Sequence, residues 1–516
     1  MKAIDLIKKG YFPAELPPVF TTEELARSLA DISTKIKQVK EKKSAPAVHS
    51  IRKNMSSRRL LSVPNPLHQI QLSEWIENNW SLIKNEIRQS DISLSKPAYD
   101  DFRASVPYND GSSTAYTALT EITDVRHVVY FDILDYYPSI SYEVLSRIFA
   151  DSEKELEFLL RSMSGEKERG LPIGPDTSYI LAEFLGSQID KKMVERFKVR
   201  TKAIYRYMDD IYIYLSSSNK SLLLGEKLSE LLREYDLTLN EEKSNFYAIE
   251  AEQFEPIWKL QLLEYMKEKD VNKQRLAIAC FFQLAFQTYH VSKDNLVLKY
   301  AVGLAQRWAV SPFNRKLLQS FMFRIAAVAP SVLPEMSPFF RSERLERKAA
   351  GQCLNSIIKY ESSHQHGNEV CWALWYCIKQ NLKVTRSSAK VLSKLDDPFV
   401  ALLALDMYDS GLITEGLDFE LWKTRMNQDA LFGPYWILAY ETAIKGWLEY
   451  DLSDLKKDPF FNLLADANVS FYRMPEEHED EDEDEDEDDD EQEDNDEGLW
   501  FTDLLDTISV YKKKKR

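Results

Sequence analysis

Three aspartates carry the chemistry this sequence offers. Asp132 stands near the end of the apolar run HVVYFDILDYYPSI (His127 to Ile140), and Asp209 and Asp210 join the two β-prone halves of TKAIYRYMDDIYIYL (Thr201 to Leu215). Adjacent aspartates suit a tight hairpin, because Asp tolerates the backbone angles of a turn. Like charges side by side repel, however, and a turn between aromatic and β-branched strands gains nothing from that repulsion. A divalent cation shared with a third carboxylate relieves it. Mg²⁺ prefers oxygen ligands from a few carboxylates and leaves its other positions to water and phosphates. Two such ions can activate a hydroxyl and stabilise a leaving pyrophosphate in nucleotidyl transfer. Asp132 alone, or the Asp209–Asp210 pair alone, reads equally as a surface turn; their joint occurrence at strand ends is what points to metal.

The surrounding sequence predicts elements able to hold these residues. A strand runs into Asp132 and is followed by a turn and the helix SYEVLSRIFA, while the second run predicts a hairpin with its acids at the tip. Strand and helix patterns mix from about residue 124 to 248. From about Phe254 to Leu464 the texture changes to segments such as QRLAIACFFQLAFQTYH and DPFVALLALDMYDSGL, with apolar residues on a 3.6-residue period and short polar breaks. No fixed repeat length emerges, so an irregular, HEAT-like stack of helix pairs is expected. At the N-terminus GYFPAELPPVF leads into a helix whose Thr21 and Glu24 form a capping-box pattern. Pro64-Asn65-Pro66 predicts a turn before an amphipathic helix bearing Trp75 and Trp80.

Composition narrows the class. At 516 residues the chain is long enough for several cores. Residues Glu476 to Glu497 hold 19 acids and no Lys or Arg, so removing them from the net charge of −17 leaves the rest at +2. That tract cannot bury a core and is expected to be disordered, with a short basic-ended helix over 498–516 beyond it. Thr34 to Arg59 contains nine basic residues against the single acid Glu41, which reads either as a polyanion contact or as a solvated surface. Cys280, Cys353, Cys371 and Cys377 are too few for a disulfide framework and read as buried thiols of a reducing cytosol. There is no secretory h-region and no apolar run near the roughly 18 residues a span needs, so a cytoplasmic protein without membrane contact is expected. His364, His366, Cys371 and Cys377 match no common zinc spacing, and P-loop, HExxH and GxSxG patterns are absent.

In this setting FDILDYYPSI resembles motif A of the reverse transcriptases. GLPIGPDTS (Gly170 to Ser178) resembles motif B, YMDD (Tyr207 to Asp210) motif C, and LNEEKSNF (Leu239 to Phe246) motif D. The four stand in the family's order. The resemblance implies that Asp132, Asp209 and Asp210 are the catalytic, metal-binding carboxylates and that the Ile133 carbonyl joins them on the metal. It implies that Tyr137 is the aromatic gate excluding a ribose 2′-hydroxyl, where the residue would otherwise be a core tyrosine. Lys243 would protonate the departing pyrophosphate, or else be a plain helix-end lysine. Gly174 would let backbone approach a nucleotide. Motif B departs from the pattern at Ile173, where many members have Gln, which bears on how a template is handled.

That departure, the N-terminal GYFPAELPPVF, VPNPLHQ near residue 65 and the helical C-terminal region make the sequence most similar to bacterial defence-associated reverse transcriptases of the unknown-group and abortive-infection type. The expected fold is an α+β right-hand polymerase: N-terminal extension and fingers over 1–123, palm over 124–250, an α-helical thumb and repeat region over 251–475. The expected activity is Mg²⁺-dependent DNA synthesis from deoxynucleoside triphosphates in anti-phage defence, with a non-coding RNA, possible pairing with a second reverse transcriptase subunit, and oligomeric assembly. Template-independent or protein-templated synthesis is the alternative. A catalytically retired RNA-binding scaffold is a second, disfavoured by the intact carboxylates. Arg58, Arg59 and Arg103 are the candidate triphosphate-binding arginines, suited by their planar fork. Lys40, Lys42, Lys43, Arg52 and Lys53 are the candidate nucleic-acid contacts.

Overall fold

The acid-bearing runs close into one antiparallel sheet of order β4-β5-β3-β6, formed by β3 His127–Asp132, β4 Ile204–Tyr207, β5 Asp210–Leu215 and β6 Asn245–Ala248. The computed structural model describes residues 1–36, 42–53, 57–97, 122–150, 154–165, 167–217, 221–251, 256–427, 429–448 and 452–475. The acidic tract, the 498–516 helix, Arg103 and Lys40 lie outside the described residues. Strand alternation sorts the sheet into two faces. Val129, Phe131, Ile211 and Ile213 are buried against the helices Pro66–Arg88, Asp176–Phe197 and Ser221–Arg233. The other face carries Tyr130, Asp132, Asp210 and Tyr212, with Asp132 paired to Asp210 and Tyr130 to Tyr212 across β3 and β5.

Helix starts follow local chemistry. Asn65 caps the Pro66–Arg88 helix by accepting from the Leu67 amide, and Pro66 occupies the first turn, where its missing N–H costs nothing. Asp270, Asp294, Asp397 and Asp458 cap four helices of the C-terminal region in the same way. The expected Thr21–Glu24 box does not form. Thr22 precedes the Glu23–Arg27 helix, its hydroxyl donates to the carbonyl of Ile7, and Glu24 accepts from the amide of Ser470. A tertiary partner has taken the side chain that local pattern had assigned to a cap.

The division expected at residue 123 is not a boundary of packing. Tyr11, Phe12, Val19, Phe20 and Val63 share a continuous core with Phe281, Trp372, Phe399, Trp436 and Phe471 from the helical region. Backbone polar groups are shared too. Trp372 donates its indole N–H to the carbonyl of Glu15 and Trp436 to that of Val63, while Thr21 and Arg473 donate amides to Phe471 and Val19. The N-terminal segment is thus an integral layer of the helical region, and a second core lies beneath the sheet. No helix among the described residues is long and apolar enough to cross a membrane.

Between the two cores stands a hairpin, β1 Ala47–Arg52 paired with β2 Arg58–Val63. It is fixed to the helical region by charge. Arg58 makes a bidentate pair with Glu369 at 2.7 and 3.0 Å, Arg52 reaches Glu369 and Glu361 at 3.5 and 3.8 Å, and His49 Nδ1 lies 2.9 Å from Asp397 Oδ2. Glu369 and His49 are fully buried.

Candidate active site

The register of β3 against β5 sets Asp132 directly opposite Asp210, and the Ile133 amide donates to the carbonyl of Asp209 at 3.2 Å. All three aspartates are therefore neighbours where β3 ends and the β4–β5 turn begins. Little cationic charge reaches them. Lys243 Nζ stands 2.9 Å from Asp132 Oδ1, and Asn240 donates its side-chain amide to Asp132 Oδ2 at 2.6 Å. Asp210 accepts from the Tyr130 hydroxyl. Burial, reinforced by its acidic neighbours Asp209 and Asp132, pushes the Asp210 carboxyl up to about 6. Burial also raises Asp209, with Asp132 adding to the shift and Lys243 and Arg59 opposing it.

A desolvated cluster of carboxylates with too little positive charge is the donor set a hard divalent cation takes. The residues present fit that group. The chain segment around Ile133 also suits the role expected of it: its bridge to Leu239 is made by the carbonyl of Asp132 and the amide of Leu134 rather than by Ile133's own carbonyl.

Tyr137 is partly buried beside this cluster, edge-on to Tyr136, and its carbonyl accepts from the amide of Leu171. Burial, with Tyr136 and the acids Glu183, Asp209 and Asp176 nearby, holds its phenol protonated. Motifs A and B are in this way tied together by backbone. Lys243 lies against Asp132 rather than apart from the carboxylates; that bond raises its pKa and keeps it cationic.

Gly174 carries the backbone conformation its type was expected to supply, φ +132°, but the space beside it is taken. A methyl group there would lie 2.6 Å from Pro13 Cγ, and one at Gly10 would lie 2.6 Å from Asp176 Oδ2. On its side-chain face, the close approach at motif B is therefore made by the protein's own N-terminal segment. The Ile173 carbonyl accepts from the Ser62 amide of β2 at 2.9 Å.

The basic residues divide. Arg58 and Arg59 are neighbours on a strand and leave it on opposite sides. Arg58 is committed to Glu369, whereas the exposed Arg59 is close enough for its charge to favour the ionised form of Asp209. Lys42 pairs with Asp458 and lies over the Phe432 ring, and Arg52 pairs with Glu361 and Glu369. Arg58, Arg52 and Lys42 thus act as docking residues, a correction to the triphosphate and nucleic-acid contacts expected of them. Their acidic partners lie over 300 positions away, beyond the reach of any local pattern. Lys43 and Lys53 stand at the exposed surface.

Behind the motif C turn is a cluster the motifs did not indicate. Arg206, with no exposed surface, uses all five of its N–H groups. Nε and Nη2 bond Asp190 at 2.7 and 2.9 Å, Nη1 and Nη2 bond Glu183 at 3.1 and 2.8 Å, and Nη1 donates to the Met208 carbonyl at 3.0 Å. Ser90 donates to Asp190, and Ser93 and Ser95 to Glu183. A sequence signal existed: Glu183 and Asp190, seven apart among the apolar residues of one helix, mark one buried face, and Arg206 interrupts an aromatic strand.

The comparisons with known proteins can now be set beside this geometry. Residues 51–275 match the family model described as reverse transcriptase (RNA-dependent DNA polymerase). That segment is similar to a reverse transcriptase domain. It begins in the β1–β2 hairpin, contains the whole sheet and ends within the Val271–Ser292 helix. Among curated proteins, the Retron Ec73 reverse transcriptase of Escherichia coli is 26% identical over 122 residues, 21% of this chain and 39% of that protein. The match thus spans about two fifths of the relative's length. Among solved structures, apo telomerase from Candida tropicalis aligns over 76% of this chain and 72% of that one at 12% identity and a TM-score of 0.33. The same telomerase truncated of its C-terminal domain aligns over 45% and 57% at 16% identity and a TM-score of 0.29.

Proposed function

We propose that this protein is a DNA polymerase of the reverse transcriptase type, extending a primer with deoxynucleotides at the Asp132–Asp209–Asp210 cluster. The observation that carries the reading is the placing of one buried and two half-buried aspartates, short of compensating charge, side by side at one end of an antiparallel sheet inside the matched segment. Asp132, Asp209, Asp210 and the Ile133 carbonyl would hold two divalent ions, Mg²⁺ by their oxygen donors. Bound there, the metal would activate the primer hydroxyl and stabilise charge on the leaving pyrophosphate. Tyr130 and Asn240 orient the carboxylates, Lys243 pairs with Asp132, Tyr137 stands as the sugar gate, and Arg59 is the arginine best placed for a triphosphate. The test is incorporation of labelled dNTPs on RNA and DNA templates with Mg²⁺, against Asp209→Asn. Incorporation that persists in the variant assigns polymerisation elsewhere.

A second reading, synthesis without an ordinary template, draws support from motif B. The Gly174 backbone is covered by Pro13 and the Ile173 carbonyl is held by Ser62, so the chain itself fills space beside the candidate nucleotide site. Sequencing the product with and without co-purified RNA separates the two: a sequence copied from the RNA supports templated synthesis, and an unchanged product after RNA removal supports the other. The defence role, a non-coding RNA partner, a second polymerase subunit and cytoplasmic location rest on the motif resemblance alone. Recovery of one specific RNA with the purified protein is the measurement that supports the RNA partner.

A further inference from the structure

The turn that presents Asp209 and Asp210 contains a feature the motif does not require. Met208 is held at φ +56°, a left-handed conformation that a residue with a Cβ rarely adopts. Its backbone is gripped at both ends. The Met208 amide donates to Ser95 Oγ at 2.9 Å, and the Met208 carbonyl accepts from Arg206 Nη1 at 3.0 Å. Ser95 Oγ in turn donates to Glu183 Oε2 at 2.9 Å, so both grips run to the same buried ion cluster. That cluster is seated on the Asp176–Phe197 helix, whose first turn is the end of motif B. The segment before Ser95 is itself fastened to β4, through the Arg206 amide to the Ile92 carbonyl and the Leu94 amide to the Arg206 carbonyl.

The guanidinium has no slack. Four of its donors are taken by Glu183 and Asp190, and the fifth alone reaches the turn. Lysine, with three donors on a single nitrogen, cannot reproduce this set. The helix side is equally tight: a methyl group at Gly186 would lie 2.7 Å from Arg206 Cζ, so glycine is the residue that lets the guanidinium sit between the two acids.

We infer that Arg206, seated by Glu183, Asp190 and Gly186, is a positioning residue that holds the Met208 turn so that Asp209 and Asp210 face Asp132 in metal-binding geometry. The inference rests on the reading of those carboxylates as metal ligands. It makes the motif B helix and the motif C turn one rigid unit, with Ser95 as the second fastening.

The experiment measures Mn²⁺ binding directly, by the loss of the free-ion paramagnetic resonance signal, on the full-length protein, and so does not depend on finding the polymerase's substrates. Two variants keep all three charged members of the buried ion cluster. Gly186→Ala pushes a methyl group against the guanidinium, and Ser95→Ala removes the acceptor of the Met208 amide. With far-UV circular dichroism unchanged, both are expected to weaken Mn²⁺ binding by about 10- to 100-fold, the range seen when groups that orient metal ligands are lost. Arg206→Lys should fall in the same range. Folded variants that bind Mn²⁺ within about twofold of the parent overturn the positioning role. Asp209→Asn separates the two levels: if it loses Mn²⁺ while Gly186→Ala and Ser95→Ala do not, only the positioning inference fails. If Asp209→Asn binds Mn²⁺ as the parent does, the carboxylate reading fails, and the inference with it.

Discussion

Two sets of acids, one buried and one half-buried, lie on either side of one turn and are treated in opposite ways. Glu183 and Asp190 are no more than 2% exposed and share a guanidinium whose every donor is used, with three serines completing the shell. Asp209 and Asp210 are also desolvated, yet their nearest cations are one lysine bonded to Asp132 and an exposed arginine, and their carboxyls are driven upward. The first set is closed and can bind nothing further. The second is left short of positive charge, which is the condition for recruiting a cation from solution. Buried acids by themselves therefore do not mark a site; the accounting of their partners does.

Removing charge from the two sets should have opposite consequences. Asp209→Asn or Asp210→Asn is expected to lower incorporation at least about 1000-fold, since an amide supplies no metal charge. The melting temperature should stay level or rise, because an unfavourable, partly desolvated charge is lost. A large fall in melting temperature would show that these acids are structural. Arg206→Met should do the reverse, destabilising the fold by about 3–5 kcal/mol in urea titrations, because two buried acids lose their only guanidinium. A loss under about 1 kcal/mol would mean that the cluster is not the closed unit its hydrogen bonds describe.

The arginines of β2 sharpen the comparison on a smaller scale. Arg58→Ala leaves Glu369 buried with only Arg52 at 3.5 Å, and should cost about 1–3 kcal/mol of stability. Arg59→Ala should change stability by less than about 0.5 kcal/mol and instead raise the KM for deoxynucleoside triphosphates. Reversed outcomes would exchange the roles given to the two faces of the strand.

A separate effect is expected on pH dependence. Asp210 titrates near 6 in the folded protein against 3.8 as an unperturbed side chain. Between those values the folded form holds a proton that the unfolded form has released, so stability of the metal-free protein should fall as pH rises from about 4 to about 6 and level off above. Asp210→Asn should lack that component, and Mg²⁺ at neutral pH should stabilise the parent more than the variant. Identical pH profiles for the two proteins would show that the Asp210 carboxyl is not so perturbed.

Much of the site was legible because its chemistry is local. Asp132 at a strand end and Asp209–Asp210 at a hairpin tip follow from runs of apolar and β-branched residues and from turn propensity, so composition over a dozen residues sufficed to place them. The helical periodicity after residue 254 was legible for the same reason. The arginines were not. Arg52, Arg58 and Arg59 read alike in a basic stretch, and only pairing with Glu361 and Glu369 separates two docking residues from one that faces the carboxylates.

What the sequence determined by itself was the set of short-range facts: the strands, the tip that carries two acids, the helix caps at Asn65 and Asp397, and a glycine at position 174 able to take a positive φ. Tertiary structure decided what fills the space around them. Pro13 rather than an open approach lies against Gly174, the N-terminal segment joins a core built from residues past 260, and one hydrogen bond from Arg206, whose other four go to Glu183 and Asp190, holds the Met208 carbonyl in its left-handed turn. The physical reason is range. Backbone propensity and side-chain alternation act over a few residues and are written in the order of the chain. Desolvation, charge pairing and steric exclusion depend on which groups meet in space, and only the packed fold brings Glu183, Asp190 and Arg206 to the back of the same turn.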